Sequence, residues 1–311
     1  MVFAPDYTYL DYNATAPLLP IVQDTMCAAL QEYGNPSSVH YFGQKQRHHL
    51  NDARGRFAEH IGCLPEYIIF TSGGTEANNL ALKGVSWDKV FMSPTEHDSV
   101  YKASAAPVHM LDISAEGILD LENLEKVLHG SQKKEEKVLV SIIAANNETG
   151  ILQSLPEIVK IVHACGGYVH VDGVQLIGKR PCHFSQLDLD LLTCSAHKFG
   201  GPKGVGALVV HERVPLVSLL QGGGQEKGRR SGTENIPAIL GMVCALENMP
   251  SLDHLSAWHR QIEKNILTYS NHKAYVFGEK APRLSNTSAF TMPGVKASTQ
   301  VMQFDLHKVA I

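Results

Sequence analysis

The sequence has 311 residues, with 27 Lys+Arg against 31 Asp+Glu, a formal net charge of −4, and 44% hydrophobic and 19% charged residues. That apolar share is enough for a large buried core and argues against a disordered chain; the slightly acidic balance argues against a nucleic-acid binder, which usually carries a basic face. The longest clean apolar stretch, Val138–Val140 followed by Ile142–Ala145, has the length of a buried strand and falls far short of a bilayer span.

From the start, Met1–Asp6 has no basic n-region, so no secretory signal is expected and the cytoplasm is the expected location. His48-His49 is expected on a helix surface. From about residue 65 to 210, β-rich runs alternate with helical patterns. Strands are expected at Tyr67–Phe70, Lys89–Met92, Val138–Ala144, Tyr168–Val171, Leu189–Cys194 and Ala207–Val210. Helices are expected at Thr75–Lys83, Leu121–Leu128 and Leu155–Cys165, and the charge run 133–137 is expected as a solvated turn. The alternation predicts an α/β fold: a mostly parallel sheet covered by helices, with ligands bound beyond the carboxyl ends of the strands. After about Asn248 the texture changes. A helix over Leu252–Tyr269, strands at Ala274–Phe277 and Ser288–Thr291 and a helix at Ser298–His307 predict a second, smaller α+β unit. Val309–Ile311 looks like the opening of a strand, which would leave an unpaired edge. The six cysteines, at 27, 63, 165, 182, 194 and 244, form no CxxC pair and are expected as free thiols.

Four segments bear chemistry. In Phe70–Asn79 a strand ends, two glycines follow and a helix begins at Thr75. Gly74 and Thr75 there can form a phosphate cup at a helix N-terminus, or the segment is an ordinary helix start capped by Ser72 and Glu76. Asp172, at the end of a strand, can hold a ring nitrogen protonated, with Gln175 donating to a ring oxygen; the plainer alternative is a capping Asp. Lys198 follows Ser195 and His197 at another strand end with glycines behind it. A lysine in that setting can form a Schiff base, unless it snorkels to solvent. The loop Gln221–Asn235, rich in Gly and Arg, either presents Arg230 or Thr233 to an anion or is a flexible surface loop. The pattern Gly173–Lys179 matches GxxxxGK, but Arg180 replaces the Ser/Thr that a nucleotide-binding P-loop needs. The glycines at 201–206 run into a strand and make no dinucleotide fingerprint, and the sixteen histidines contain no HExxH.

The order of these segments resembles the fold-type-I pyridoxal-phosphate enzymes, and within them the cysteine desulfurases of the class V aminotransferase group. The resemblance runs over nearly the whole chain, through Leu10–Thr15, Gly34–Ser38, Thr71–Asn78, Glu96-His97, Asn146–Gly150, His170–Asp172, Ser195–Lys198 with Gly201–Gly204, and Arg230–Asn235. It implies a large cofactor domain over 16–254 and a small domain from 1–15 and 255–311. It implies pyridoxal 5'-phosphate joined to Lys198, with Asp172 on the pyridinium nitrogen and Gln175 on the phenolic oxygen. His97 would stack on the ring and shuttle protons, and Asn147 would help place the substrate. Gly74, Thr75, Ser195 and His197 would hold the phosphate, and Thr233 would complete the cup from a partner subunit, so a homodimer is expected. The implied reaction takes sulfur from L-cysteine, leaves alanine and passes a persulfide to an Fe–S scaffold or a tRNA-thiolation relay.

In the family, the segment like Phe304–Ile311 is followed by a loop with the nucleophilic cysteine, and the arginine for the substrate carboxylate lies later still. These 311 residues are therefore expected to hold the cofactor site without the sulfur-accepting thiol, and their own desulfuration activity is not expected. The alternatives are another class V activity, such as a selenocysteine lyase or an aminotransferase, or a non-catalytic dimer that binds the cofactor. Gln221 stands where the family commonly has His, a change expected to be tolerated.

Overall fold

A computed structural model describes residues 6–131, 136–271 and 273–311. The first five residues, on which the expected absence of a leader rests, and positions 133–135 of the charge run lie outside the described residues. The elements run β1 (Thr8–Tyr9), α1 (Pro20–Leu30), α2 (Tyr41–Ile61), β2 (Ile68–Thr71), α3 (Gly74–Lys83), β3 (Lys89–Met92), α4 (Asp98–Tyr101), β4 (Val108–Met110), α5 (Leu121–Ser131) and β5 (Val138–Ile143). They continue with α6 (Leu155–Ala164), β6 (Tyr168–Asp172), β7 (Leu191–Ser195), β8 (Gly206–Val210), α7 (Ile236–Asn248), α8 (Leu255–Tyr269), β9 (Tyr275–Val276), β10 (Phe290–Thr291), α9 (Ala297–Leu306) and β11 (Val309–Ala310).

Seven strands form one sheet in the order β2-β8-β7-β6-β5-β3-β4. Only β8 runs against the others: it is antiparallel to both β2 and β7, while β7, β6, β5, β3 and β4 pair in parallel. The central strands are apolar almost throughout because both faces are buried. Leu139 packs on one side with α3 residues Leu80 and Leu82, whereas Val140 and Ile142 pack on the other with Ile158 and Val162 of α6. Helix α6 buries Leu155, Ile158, Val159 and Val162, the i, i+3, i+4, i+7 stripe of an amphipathic helix.

All six strands expected between 65 and 210 are present. Strand β4 was not expected: it is a three-residue edge strand with every residue exposed and carries no burial signal to read. The expected unpaired edge at the end of the sequence is corrected: β11 pairs in parallel with β1, Thr8 opposite Val309 and Tyr9 opposite Ala310. Two runs of two residues, some 300 positions apart, satisfy each other's backbone groups, a pairing that no local pattern announces. His49 does lie on α2, where its Nε2 meets Glu32 at 3.0 Å. Among the described residues no helix is long and apolar enough to cross a membrane.

Strands β2, β5, β6 and β7 run the same way, so their carboxyl ends share one edge of the sheet. Thr71, Ile143, Asp172 and Ser195 end these strands, which gathers three of the four chemistry-bearing segments there.

Candidate active site

At that edge lies a narrow cleft of about 100 Å³. Nine of the ten sequence-predicted site residues line it: Gly74, Thr75, His97, Asn147, Asp172, Gln175, Ser195, His197 and Lys198. The tenth, Thr233, is exposed and does not line this chain's cleft.

Helix α3 begins at the cleft wall. Its N-cap is Gly73, at φ 154°, and not Ser72; Ser72 instead donates its N–H to Glu76 Oε2 at 2.8 Å. The cup depends on close backbone approach. A Cβ on Gly206 of β8 would stand 2.8 Å from Gly73 Cα, and one on Gly74 would stand 2.9 Å from Val174 Cγ2. The helix therefore brings its free N–H groups and positive dipole end into the cleft, an arrangement suited to an anion.

Asp172 is 2% exposed. Its Oδ1 accepts from Val174 N at 3.0 Å and its Oδ2 from Asn78 Nδ2 at 2.9 Å. Burial pushes its carboxyl above its ordinary value, and these donors, with His97 and Lys198, offset only part of that push. A cation placed in the cleft would supply the missing compensation. Asn78, which donates also to Ser99 Oγ at 2.8 Å, keeps a buried Oδ1 with no partner. Asn78 was not expected in the site, although it stands one turn after Gly74 inside Thr71–Asn78.

Lys198 ends the short turn after β7. Its Nζ donates to Asn13 O at 2.6 Å and Ala14 O at 3.0 Å. Burial lowers its pKa, while Asp11 and Asp172 pull it back up; it faces the cleft and does not snorkel to solvent. His197 is held down to about 4 by burial and the Lys198 and Lys203 charges, so its ring is neutral near pH 7. His97 accepts from Ser99 N at 3.0 Å through Nδ1, which leaves Nε2 as the ring's donor. Gln175, also 2% exposed, donates Nε2 to Asn13 O at 2.8 Å. Asn147 lines the cleft and accepts from Asn13 Nδ2 at its carbonyl, at 3.2 Å.

The glycine-rich loop is anchored, which corrects its reading as a flexible loop. Arg230 grips Glu76 with Nε at 2.8 Å, and buried Glu226 takes Arg54 at 2.7 Å and Phe70 N at 3.0 Å. Burial alone would raise the Glu76 carboxyl; Arg230 and Ser72 more than offset it and hold it below its ordinary value. Replacing Glu226 by alanine strands the Arg54 charge in the core and is expected to cost about 3–5 kcal/mol. Urea unfolding midpoints check this, and the pair replacement Arg54→Met with Glu226→Leu is expected to recover most of the loss.

None of the six cysteines lines the cleft among the described residues. Burial pushes Cys182 and Cys63 up to about 12, and Cys194, buried inside β7, higher still. These are packed thiols and poor nucleophiles.

The aminotransferase class-V family model matches residues 8–311. A cysteine desulfurase IscS of Dictyoglomus turgidum is 36% identical, covering 97% of this chain and 80% of its own length. A cysteine desulfurase of Cereibacter sphaeroides is 36% identical over 97% of this chain and 81% of its own. Among solved structures, a NifS-like protein from Rickettsia africae superposes with a TM-score of 0.92 at 35% identity, over 98% of this chain and 86% of that one. The cofactor of such enzymes is pyridoxal 5'-phosphate, and the residues present fit it. Helix α3 opens at the cleft on Gly73 and Gly74, the charges near Asp172 only partly offset its burial, Asn78 keeps an unsatisfied oxygen and Lys198 is a half-buried amine. By sequence, fold and donor set together, the chain belongs to the class V aminotransferase family, among its pyridoxal-phosphate-dependent cysteine desulfurases.

Proposed function

We propose that the cleft holds pyridoxal 5'-phosphate with its phosphate on Gly74, Thr75, Ser195 and His197, its ring nitrogen on Asp172 and its ring oxygen on Gln175, and that it acts on L-cysteine. The observation that carries this reading is the convergence of Asp172, Lys198 and the start of α3 on one sheet edge. Bound there, the cofactor supplies an electron-withdrawing ring that drains charge from the substrate's α-carbon. Lys198 would be the covalent anchor, and burial, which lowers its pKa, eases proton exchange at Nζ. His97 lies at the mouth with Nε2 as its donor, and Asn147 places the substrate.

The packed state of the cleft's nearest cysteines supports a thiol from outside residues 1–311 as the first sulfur acceptor. An Fe–S scaffold or a tRNA-thiolation relay in the cytoplasm would take the sulfur onward, and we place residues 16–254 in a large domain and 1–15 with 255–311 in a small one. A homodimer is supported by two features. Thr233 is presented outward on an anchored loop, and exposed apolar side chains cluster on α1, α2 and their connection. Tyr33 is 71% exposed and Val39 83%, and Tyr33 stacks on Phe42 at 4.8 Å.

The purified protein is expected to bind added pyridoxal 5'-phosphate with a visible absorbance band and to sediment at about twice 34.0 kDa. With L-cysteine and an added thiol acceptor it is expected to release alanine. A band without alanine would leave cofactor binding standing and remove desulfuration, and a preference for L-selenocysteine would move the substrate to the selenium analogue.

A further inference from the structure

The pattern Gly173–Lys179, which fails as a phosphate loop, places its lysine beside the cofactor cleft. Lys179 Nζ donates to Gln175 Oε1 at 2.5 Å and to Asn13 Oδ1 at 3.1 Å. An ammonium has donors and no acceptor, so it fixes which end of each amide faces it. Both amides must turn their carbonyls toward Lys179. Gln175 then directs Nε2 the other way, toward Asn13 O. Asn13 directs Nδ2 toward Asn147 O at 3.2 Å and Thr287 Oγ1 at 2.9 Å. The Asn13 carbonyl that receives Gln175 Nε2 also receives Lys198 Nζ.

The two ends of a buried amide have nearly the same shape, and only their partners tell them apart. We infer that Lys179 is a positioning residue: in its protonated form, and together with Asn286 Nδ2 on the Asn13 oxygen at 3.1 Å, it sets the Gln175 and Asn13 amides so that Gln175 offers an N–H donor, and not a carbonyl, to the anionic ring oxygen of pyridoxal 5'-phosphate. A reversed Gln175 would set oxygen against oxygen. The arrangement has a cost, since burial and the Lys198 charge hold Lys179 down to about 7, and a lysine with no task there would face solvent.

The test is a double-mutant cycle on cofactor affinity, by spectral titration with pyridoxal 5'-phosphate of wild type, Lys179→Met, Gln175→Ala and the double variant. Lys179→Met is expected to weaken affinity about tenfold, the size of one hydrogen bond to a charged group. The double variant is expected to bind no more weakly than Gln175→Ala alone, and the bound-cofactor absorbance maximum is expected to shift the same way in both single variants. Lys179→Gln, which keeps a donor, is expected to recover most of the affinity and carries the same cycle if Lys179→Met fails to fold. Affinity unchanged in Lys179→Met, or losses that multiply in the double variant, would overturn the inference. The inference rests on the cofactor occupying this cleft: a wild-type protein that binds none overturns that reading together with it, whereas normal binding by wild type and Lys179→Met alike overturns only the inference.

Discussion

Replacing Lys198 by alanine is expected to abolish the visible band of the bound cofactor and to cut alanine formation from L-cysteine by about 10²–10⁴-fold, the range for removing a positioned proton carrier. The loss combines two roles, because the same nitrogen anchors the cofactor and moves the proton. Its position is fixed by the Asn13 and Ala14 carbonyls, and its basicity by burial opposed by Asp11 and Asp172. The phosphate cradle at Gly74 and Thr75 does not depend on Lys198, so the variant is expected to retain weakened, non-covalent cofactor binding. The sign of the stability effect is opposite to that of the activity effect. A lysine whose folded pKa lies below its unfolded value binds fewer protons when folded, so its cost to stability is present at neutral pH and disappears as pH rises toward its ordinary value of 10.5. The cofactor-free Lys198→Ala protein is therefore expected to melt no lower than wild type near pH 7. A variant that kept both the band and alanine release would show that another amine carries the cofactor.

The strands of the central sheet were legible because burial on both faces leaves a nearly continuous apolar run, as in Val138–Ile143, broken only by Ser141. The cleft was legible for a related reason. A strand that ends on Asp172 or on Ser195 followed by His197 and Lys198 places polar chemistry where the topology places ligands. Asn13, Asn78 and Lys179 were not assigned, since each acts through partners distant in sequence. Asn78 reaches Asp172 across 94 positions and Asn13 meets Lys179 across 166. A single buried polar side chain, in a helix as Asn78 is or in a loop as Lys179 is, carries no periodicity of its own, and its value is set by which atoms the fold brings within hydrogen-bond reach. The same holds for β1 and β11, too short to show alternation and joined only in the folded chain. The capping chemistry at α3 was misassigned because Ser72 and Glu76 do bond each other, while the cup itself needs glycine at the cap position.

Asp172→Asn is expected to raise the melting temperature of the cofactor-free protein near pH 7 while lowering its affinity for pyridoxal 5'-phosphate by about 10²- to 4 × 10³-fold, the equivalent of breaking a buried charge pair at about 3–5 kcal/mol. The carboxyl's folded pKa lies above its ordinary value of 3.8, chiefly through burial. Such a group favours folding while protonated and loses that contribution as pH rises through the folded pKa. Removing its charge therefore relieves a cost present above the folded pKa, and the gain is expected to shrink as pH falls through that pKa and to disappear below the ordinary value of 3.8. The variant keeps a viable hydrogen-bond set. The oxygen of the substituted amide still accepts from Val174 N, and Asn78, whose buried Oδ1 has no partner, can turn it to accept from the amide's new N–H. The neighbouring Glu96 does not substitute for the lost charge. Burial and Asp172 hold its carboxyl well above the ordinary range, and one oxygen is engaged by Ile143 N at 2.6 Å. Burial thus raises both acids, while geometry separates their tasks: Glu96 ties the His97 loop to β5 through Ile143 N, and Asp172 lines the cleft. Melting curves over pH, with and without cofactor, read both effects in one experiment. Equal stabilisation of wild type and variant by the cofactor would mean that its ring nitrogen does not lie on Asp172, because the ring-nitrogen proton contributes to binding only where it meets a charge.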